Sequence, residues 1–144
     1  MPDTALQNAE KICRERGVRL TPQRKRVLEI VASSLRPLGA YDIMAAMDEA
    51  DGRKTAPPTV YRALDFLLEQ GLVHKIASLH AFISCHHPDH DHASQFLICK
   101  DCGRVDELEN DSIDQGVQNA AAAVGFVAQQ QTVEVLGRCV QCQS

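Results

Sequence analysis

Apolar residues in the first half of the chain recur at helical spacing in four stretches. From Thr4 to Arg16, Leu6, Ala9, Ile12 and Cys13 share one face, and Gly17 supplies a stop. Thr21-Pro22 reads as an N-cap followed by proline at the first helical position, opening a helix with Val27, Leu28 and Val31 inward. A third helix runs from about Ala40 to Ala50 with Ile43, Met44 and Met47 inward, and a polar loop, Asp51 to Ala56, follows it. The fourth starts at Pro57-Pro58 and stops at Gly71. Its stripe is Val60, Ala63, Leu64, Leu67 and Leu68, which leaves Thr59, Tyr61, Arg62, Asp65 and Glu69 off the core.

After Gly71 the pattern shortens to two stretches of strand character, Leu72 to Ala77 and Ala81 to Cys85, joined by Ser78-Leu79-His80. A helical triplet followed by a hairpin is the winged-helix arrangement, whose last helix enters a major groove. The segment from Cys85 to Ser94 is polar and rich in His and Asp, as a hinge would be. Beyond it, Gln95 to Cys99 and Arg104 to Leu108 read as strands around a Cys-containing turn. A helix capped by Asp111 follows, to Val124, with Ile113, Val117, Ala120, Ala121 and Val124 inward, and Phe126 to Leu136 reads as a last strand. About 50 residues in this β, β, α, β order bury little core alone, so a homodimer completing the sheet is expected. The fold class is α+β. Residues 1–85 are expected to form an N-terminal winged-helix DNA-binding domain, 86–94 a hinge, and 95–144 a small α/β dimerisation domain.

The composition changes this picture in two places. The chain has 144 residues, 44% hydrophobic, and no apolar run near 18 residues or basic-then-apolar leader, so neither a membrane span nor a signal peptide is expected. A cytoplasmic protein follows, in which six Cys point to metal rather than disulfides. The net charge of −4 argues against a nucleic-acid partner until it is divided. Residues 1–62 hold 11 Lys and Arg against 8 Asp and Glu, net +3, and residues 63–144 hold 4 against 11, net −7. Between Lys11 and Arg26, seven basic residues including Arg24 face one acid, Glu15, a density that suits a phosphate backbone.

Two sets of metal donors stand out. Cys99-x-x-Cys102 and Cys139-x-x-Cys142 are matched knuckles 37 residues apart, and four thiolates make a closed, structural zinc site. All six histidines lie in residues 74–92 beside Cys85, with Glu107 on the strand after the first knuckle. One tetrahedral sensing site fits His74 and Cys85 from the wing, His92 from the hinge and Glu107 from the second domain. A thiolate among nitrogen and oxygen donors selects zinc, whereas an iron or manganese sensor would use nitrogen and oxygen alone. Such a site would span the joint between the domains, so that zinc fixes the pose of the DNA-reading heads. Two zinc ions per subunit are expected and no organic cofactor. His86, His87, Asp89 and His90 are candidates for a third site.

The sequence resembles the ferric uptake regulator superfamily, and within it the zinc uptake regulators. The residues that carry the likeness are Arg19-Leu20-Thr21-Pro22-Gln23-Arg24, Pro58-Thr59-Val60-Tyr61-Arg62-Ala63-Leu64, Glu69-Gln70-Gly71-Leu72-Val73-His74-Lys75, Cys99-x-x-Cys102-Gly103 and Cys139-x-x-Cys142. The resemblance implies a homodimeric repressor that binds double-stranded operator DNA at zinc-uptake genes when loaded with zinc. It implies Tyr61 and Arg62 as DNA-reading residues, with Thr59, Tyr41 and Arg24 as backbone or secondary contacts. It assigns the family's His, Cys, His, Glu sensing set to His74, Cys85, His92 and Glu107, with His90 as substitute for His92 because the segment between Cys85 and His92 is richer in histidine than in relatives. An iron- or peroxide-responsive regulator is the alternative, weakened because no histidine lies before residue 74 or after residue 92. A zinc deaminase would need an H-x-E motif, which is absent, so no enzyme is expected. An RNA stacking platform is disfavoured by the lack of Trp and 4% aromatic content.

Overall fold

The computed structural model describes residues 2–85, 88 and 94–143, and the chain divides into two compact units, Met1–His90 and Asp91–Ser144. The first unit contains α1 (Pro2–Arg16), α2 (Pro22–Ser33), α3 (Ala40–Asp51), α4 (Pro57–Glu69), β1 (Val73–Ile76) and β2 (Ala81–Ser84). Each helix starts and stops where local chemistry directs it. Thr21 Oγ1 accepts a hydrogen bond from Arg24 N at 3.3 Å, and Pro22, which has no N–H to satisfy, takes the first helical position of α2. The Asp42 carboxylate accepts from Gly39 N at 3.1 Å and so closes the start of α3.

The exit from α4 sets the direction of everything after it. Gly71 N donates to Leu68 O at 3.0 Å and Leu72 N to Leu67 O at 2.9 Å, with Gly71 at φ 72°, where a side chain would be strained. Leu72 is thereby buried and β1 leads straight off the helix end. β1 and β2 pair antiparallel with Val73 opposite Ser84 and His74 opposite Ile83. A short 3₁₀ turn, Ala77–Leu79, joins them. Leu38 adds a single bridge to this wing: its N donates to Phe82 O at 3.0 Å and its O accepts from Phe82 N at 2.8 Å. One core fills the unit, built from Ala9, Ile12 and Cys13 of α1, Val27, Leu28 and Val31 of α2, Ile43, Met44 and Met47 of α3, and Val60, Ala63, Leu64 and Leu67 of α4. The expected inward faces of these helices are the buried ones, with Leu6 and Leu68 partly buried at the margin.

The second unit contains β3 (Ser94–Cys99), β4 (Val105–Leu108), α5 (Asp111–Ala123) and β5 (Thr132–Gly137). Its sheet order is β4-β3-β5: β4 pairs antiparallel with β3, and β5 parallel, with Leu97 opposite both Asp106 and Val135. Three expectations are corrected here. The cap of α5 is Asn110, whose side-chain oxygen accepts from Ser112 N at 3.0 Å and Ile113 N at 3.3 Å, and Asp111 instead lies in the first turn, where its charge suits the helix dipole. The last strand begins at Thr132 rather than Phe126, because its ladder opens opposite Ser94, the first residue of β3. The apolar stripe of α5 is not inward: none of Ile113, Val117, Ala120, Ala121 or Val124 is buried, and Val124 is 81% exposed. A three-stranded sheet with one helix has too little second layer to cover that stripe within a single chain.

Candidate metal centres and nucleic-acid interface

The sulfurs of Cys99, Cys102, Cys139 and Cys142 all lie within 4.8 Å of one another. Backbone geometry brings them together. In the first knuckle Gly103 N donates to Cys99 O and Cys99 N to Arg104 O, both at 2.9 Å, and Gly103 takes φ 79° to close the turn between β3 and β4. In the second, Cys142 N donates to Cys139 O at 3.0 Å. The parallel pairing of β5 with β3 carries the chain end back to the first turn, where Lys100 N donates to Gly137 O at 2.9 Å and Arg138 pairs with Asp101 at 3.1 Å.

The donor set fits a tetrahedral metal ion. A metal–sulfur bond of about 2.3 Å gives tetrahedral edges of about 3.8 Å, and Cys102 Sγ lies 3.8 Å from Cys139 Sγ, far beyond a disulfide bond. None of the six cysteines forms a disulfide. The proton distribution has the pattern expected of crowded thiols. Backbone N–H groups of Cys102 and Cys139 directed at its sulfur lower Cys99 to about 6. Cys142 is raised to about 12, because its proton is shared with the sulfurs of Cys139 and Cys99, burial disfavours its charge and Cys102 adds repulsion. A divalent cation would remove that conflict.

Of the expected sensing ligands, His74 and Cys85 lie in the first unit. Cys85 N donates to Leu72 O at 3.0 Å, extending the β1–β2 pairing by one residue. Cys85 is two residues beyond Ile83, the partner of His74, so alternation puts His74 and Cys85 on one face of the wing. Their donor atoms approach within 4.8 Å. Glu107 lies in β4 opposite Phe96. His86, His87, Asp89, His90 and His92 lie outside the described residues.

The polar side of α4 carries Thr59, Tyr61 and Arg62, with Tyr61 45% exposed, while Val60, Ala63, Leu64 and Leu67 anchor the opposite side in the core. Tyr41 projects separately from the first turn of α3, 77% exposed. Thr21, Gln23 and Arg24 at the start of α2 meet Thr59, Arg62 and Ala63 of α4 around a shallow recess of about 190 Å³. The Arg24 guanidinium rests over the Phe66 ring, 3.8 Å from its centroid, and donates to Arg19 O at 2.6 Å. Phe66 was not among the expected site residues; its signal was an aromatic residue one turn after Arg62 on the same helix.

The basic cluster between Lys11 and Arg26 is less available than its density in the sequence suggested. Lys25 pairs with Glu10 at 2.6 Å and Arg26 with Asp51 at 2.5 Å, and Arg16 donates to Gln70 O at 2.7 Å. These partners come from neighbouring helices or from beyond the cluster, so counting charges within one stretch misses them.

Residues 15–136 match the model of the ferric uptake regulator family. The chain belongs to this family. It is 43% identical over 138 residues to the zinc uptake regulation protein of Escherichia coli strain K12, a match covering 95% of this chain and 80% of that one. Its fold superposes on a zinc uptake regulator complexed with zinc and DNA at a TM-score of 0.92, with 41% identity, 99% of this chain and 95% of the other covered. The crystal structure of holo XcZur matches at a TM-score of 0.87 with 45% identity and 95% of each chain covered. Members of the family are regulators rather than enzymes. Among the described residues, no helix is long and apolar enough to cross a membrane.

Proposed function

We propose that this chain is a cytoplasmic, zinc-responsive repressor that binds operator DNA as a homodimer and silences zinc-uptake genes. The observation that carries this reading is the nitrogen–thiolate pair of His74 and Cys85, whose donor atoms approach within 4.8 Å on one face of the wing. Imidazole with thiolate favours zinc over iron or manganese. The kinship with a zinc uptake regulation protein and with a regulator seen on zinc and DNA supports the same assignment.

Two zinc ions per chain serve different ends. Cys99, Cys102, Cys139 and Cys142 hold a structural ion that ties the chain end to the β3–β4 turn. The sensing ion is held by His74 and Cys85 together with Glu107 of β4 and His92, or His90 in its place. Zinc supplies the cross-link, and the chain's own residues do the recognition. Arg62 offers two parallel N–H donors to a guanine edge, and Tyr61 a ring to a thymine methyl. Thr59, Tyr41 and Arg24 contact the backbone. Dimerisation is supported by the apolar surface of the second unit, where Val117, Val124, Phe126 and Leu136 are all exposed.

A mobility-shift titration on operator-like DNA across buffered free zinc, with metal content measured per chain, tests the reading. Two zinc ions and a zinc-dependent shift are expected, and Cys85→Ser should abolish the zinc dependence while the protein stays folded and dimeric. A shift that follows iron(II) or manganese(II) but not zinc would replace this reading with that of an iron or peroxide sensor.

A further inference from the structure

We propose that Phe66 is a positioning residue for DNA binding: it holds the Arg24 guanidinium as the principal cation of a seat for one backbone phosphate, formed by the recess between α2 and α4. The proposal rests on the DNA-binding reading above. Four side chains around the recess, those of Thr21, Gln23, Thr59 and Arg62, offer hydroxyl, amide or guanidinium donors, and no carboxylate lines it.

Arg24 has no evident structural reason to carry a charge at this place. It sits in the first turn of α2, where a carboxylate would be electrostatically preferred and none occurs. Among the described residues no carboxylate pairs with it, whereas Lys25 and Arg26 beside it are both neutralised by acids. Its contacts are instead a ring face at 3.8 Å and one carbonyl at 2.6 Å. These fix the plane of the guanidinium without cancelling its charge, and they use one of its five N–H groups. A long side chain held in this way loses less freedom when an anion arrives. Phe66 is partly buried against the core, so the clamp is braced by the same packing that holds α4.

The test measures affinity of the zinc-loaded dimer for an operator duplex and an unrelated duplex over a range of salt. Arg24→Gln should weaken both duplexes alike and lower the slope of log K against log salt by about 1.8, about 0.9 for each of two heads. Phe66→Leu keeps the charge and should weaken both by about 2- to 5-fold per head, about 4- to 25-fold per dimer, and Phe66→Tyr should restore binding. In an Arg24→Gln background Phe66→Leu should add nothing. An undiminished effect of Phe66→Leu in that background would make the ring a general packing residue and overturn the clamp. An unchanged salt slope in Arg24→Gln would overturn the seat while leaving the repressor reading intact. Absence of zinc-dependent duplex binding by the unaltered protein would overturn both.

Discussion

The last strand is held along one edge, and severing its tether to the first knuckle should be measurable strand by strand. β5 pairs with β3 along one edge only, Val135 and Leu136 are 49% and 63% exposed, and α5, which leads to it, has no buried residue. The two knuckles therefore do much of the tethering. Replacing Cys139 and Cys142 together by serine removes the tether and leaves the first knuckle in place. The loop released, from Cys102 to Cys139, spans 37 residues. Closing a loop of that length costs about 4 kcal/mol of chain entropy. A four-thiolate zinc site, worth on the order of 10 kcal/mol in small modules, readily offsets this, whereas net backbone hydrogen bonds of about 1 kcal/mol each do so only barely. Without the tether, β5 should open more often by a factor approaching a thousand. Amide exchange at fixed protein concentration would report it as lost protection over Thr132–Gly137 with α2 and α4 unchanged. A change below tenfold in β5, or an equal loss in α2 and α4, would refute the tether.

Arg62→Ala should cost about 1–3 kcal/mol on operator DNA and little on an unrelated duplex, as gel shifts on both would show; equal losses would make Arg62 a phosphate contact. Zinc binding to the four-thiolate site should tighten as pH rises. Cys142, raised to about 12, is protonated at neutral pH and must release that proton to bind, and below about pH 6 Cys99 must release one too, which steepens the loss of affinity. Competition with a chromophoric chelator between about pH 5 and 8 would measure this, and a flat profile would contradict it. Leu136→Asp, on an exposed strand position, should convert the dimer to a folded monomer with chain stability changed by no more than about 0.5 kcal/mol. Sedimentation showing an unaltered dimer would move the interface elsewhere.

Much of the first unit could be read from the sequence because its helices announce themselves locally. Thr21-Pro22, Pro57-Pro58 and Gly71 punctuate the chain through backbone chemistry, and stripes such as Val60, Ala63, Leu64 and Leu67 bury in the way their 3.6-residue period requires. The second unit was harder. Asp111 and Asn110 are both good caps, and only the backbone path decides which side chain meets Ser112 N and Ile113 N. The stripe on α5 is real, but periodicity names a face without naming what covers it.

The sites divide along the same line. Residue spacing was enough for the two knuckles and the polar face of α4, because each depends on a short repeat or a single helical period, and the hairpin pattern was enough to put His74 and Cys85 on the same wing. The matched knuckles also implied that they meet, but the way they meet across 37 residues was set by tertiary structure, through β5 returning parallel to β3. Tertiary structure also decided which basic residues keep an uncompensated charge: Lys25 and Arg26 find acids on other helices, while Arg24, next to Lys25, finds the ring of Phe66. A charge count along the chain cannot see this, because neutralisation depends on distance in space, and those partners are 15 to 42 residues away in sequence.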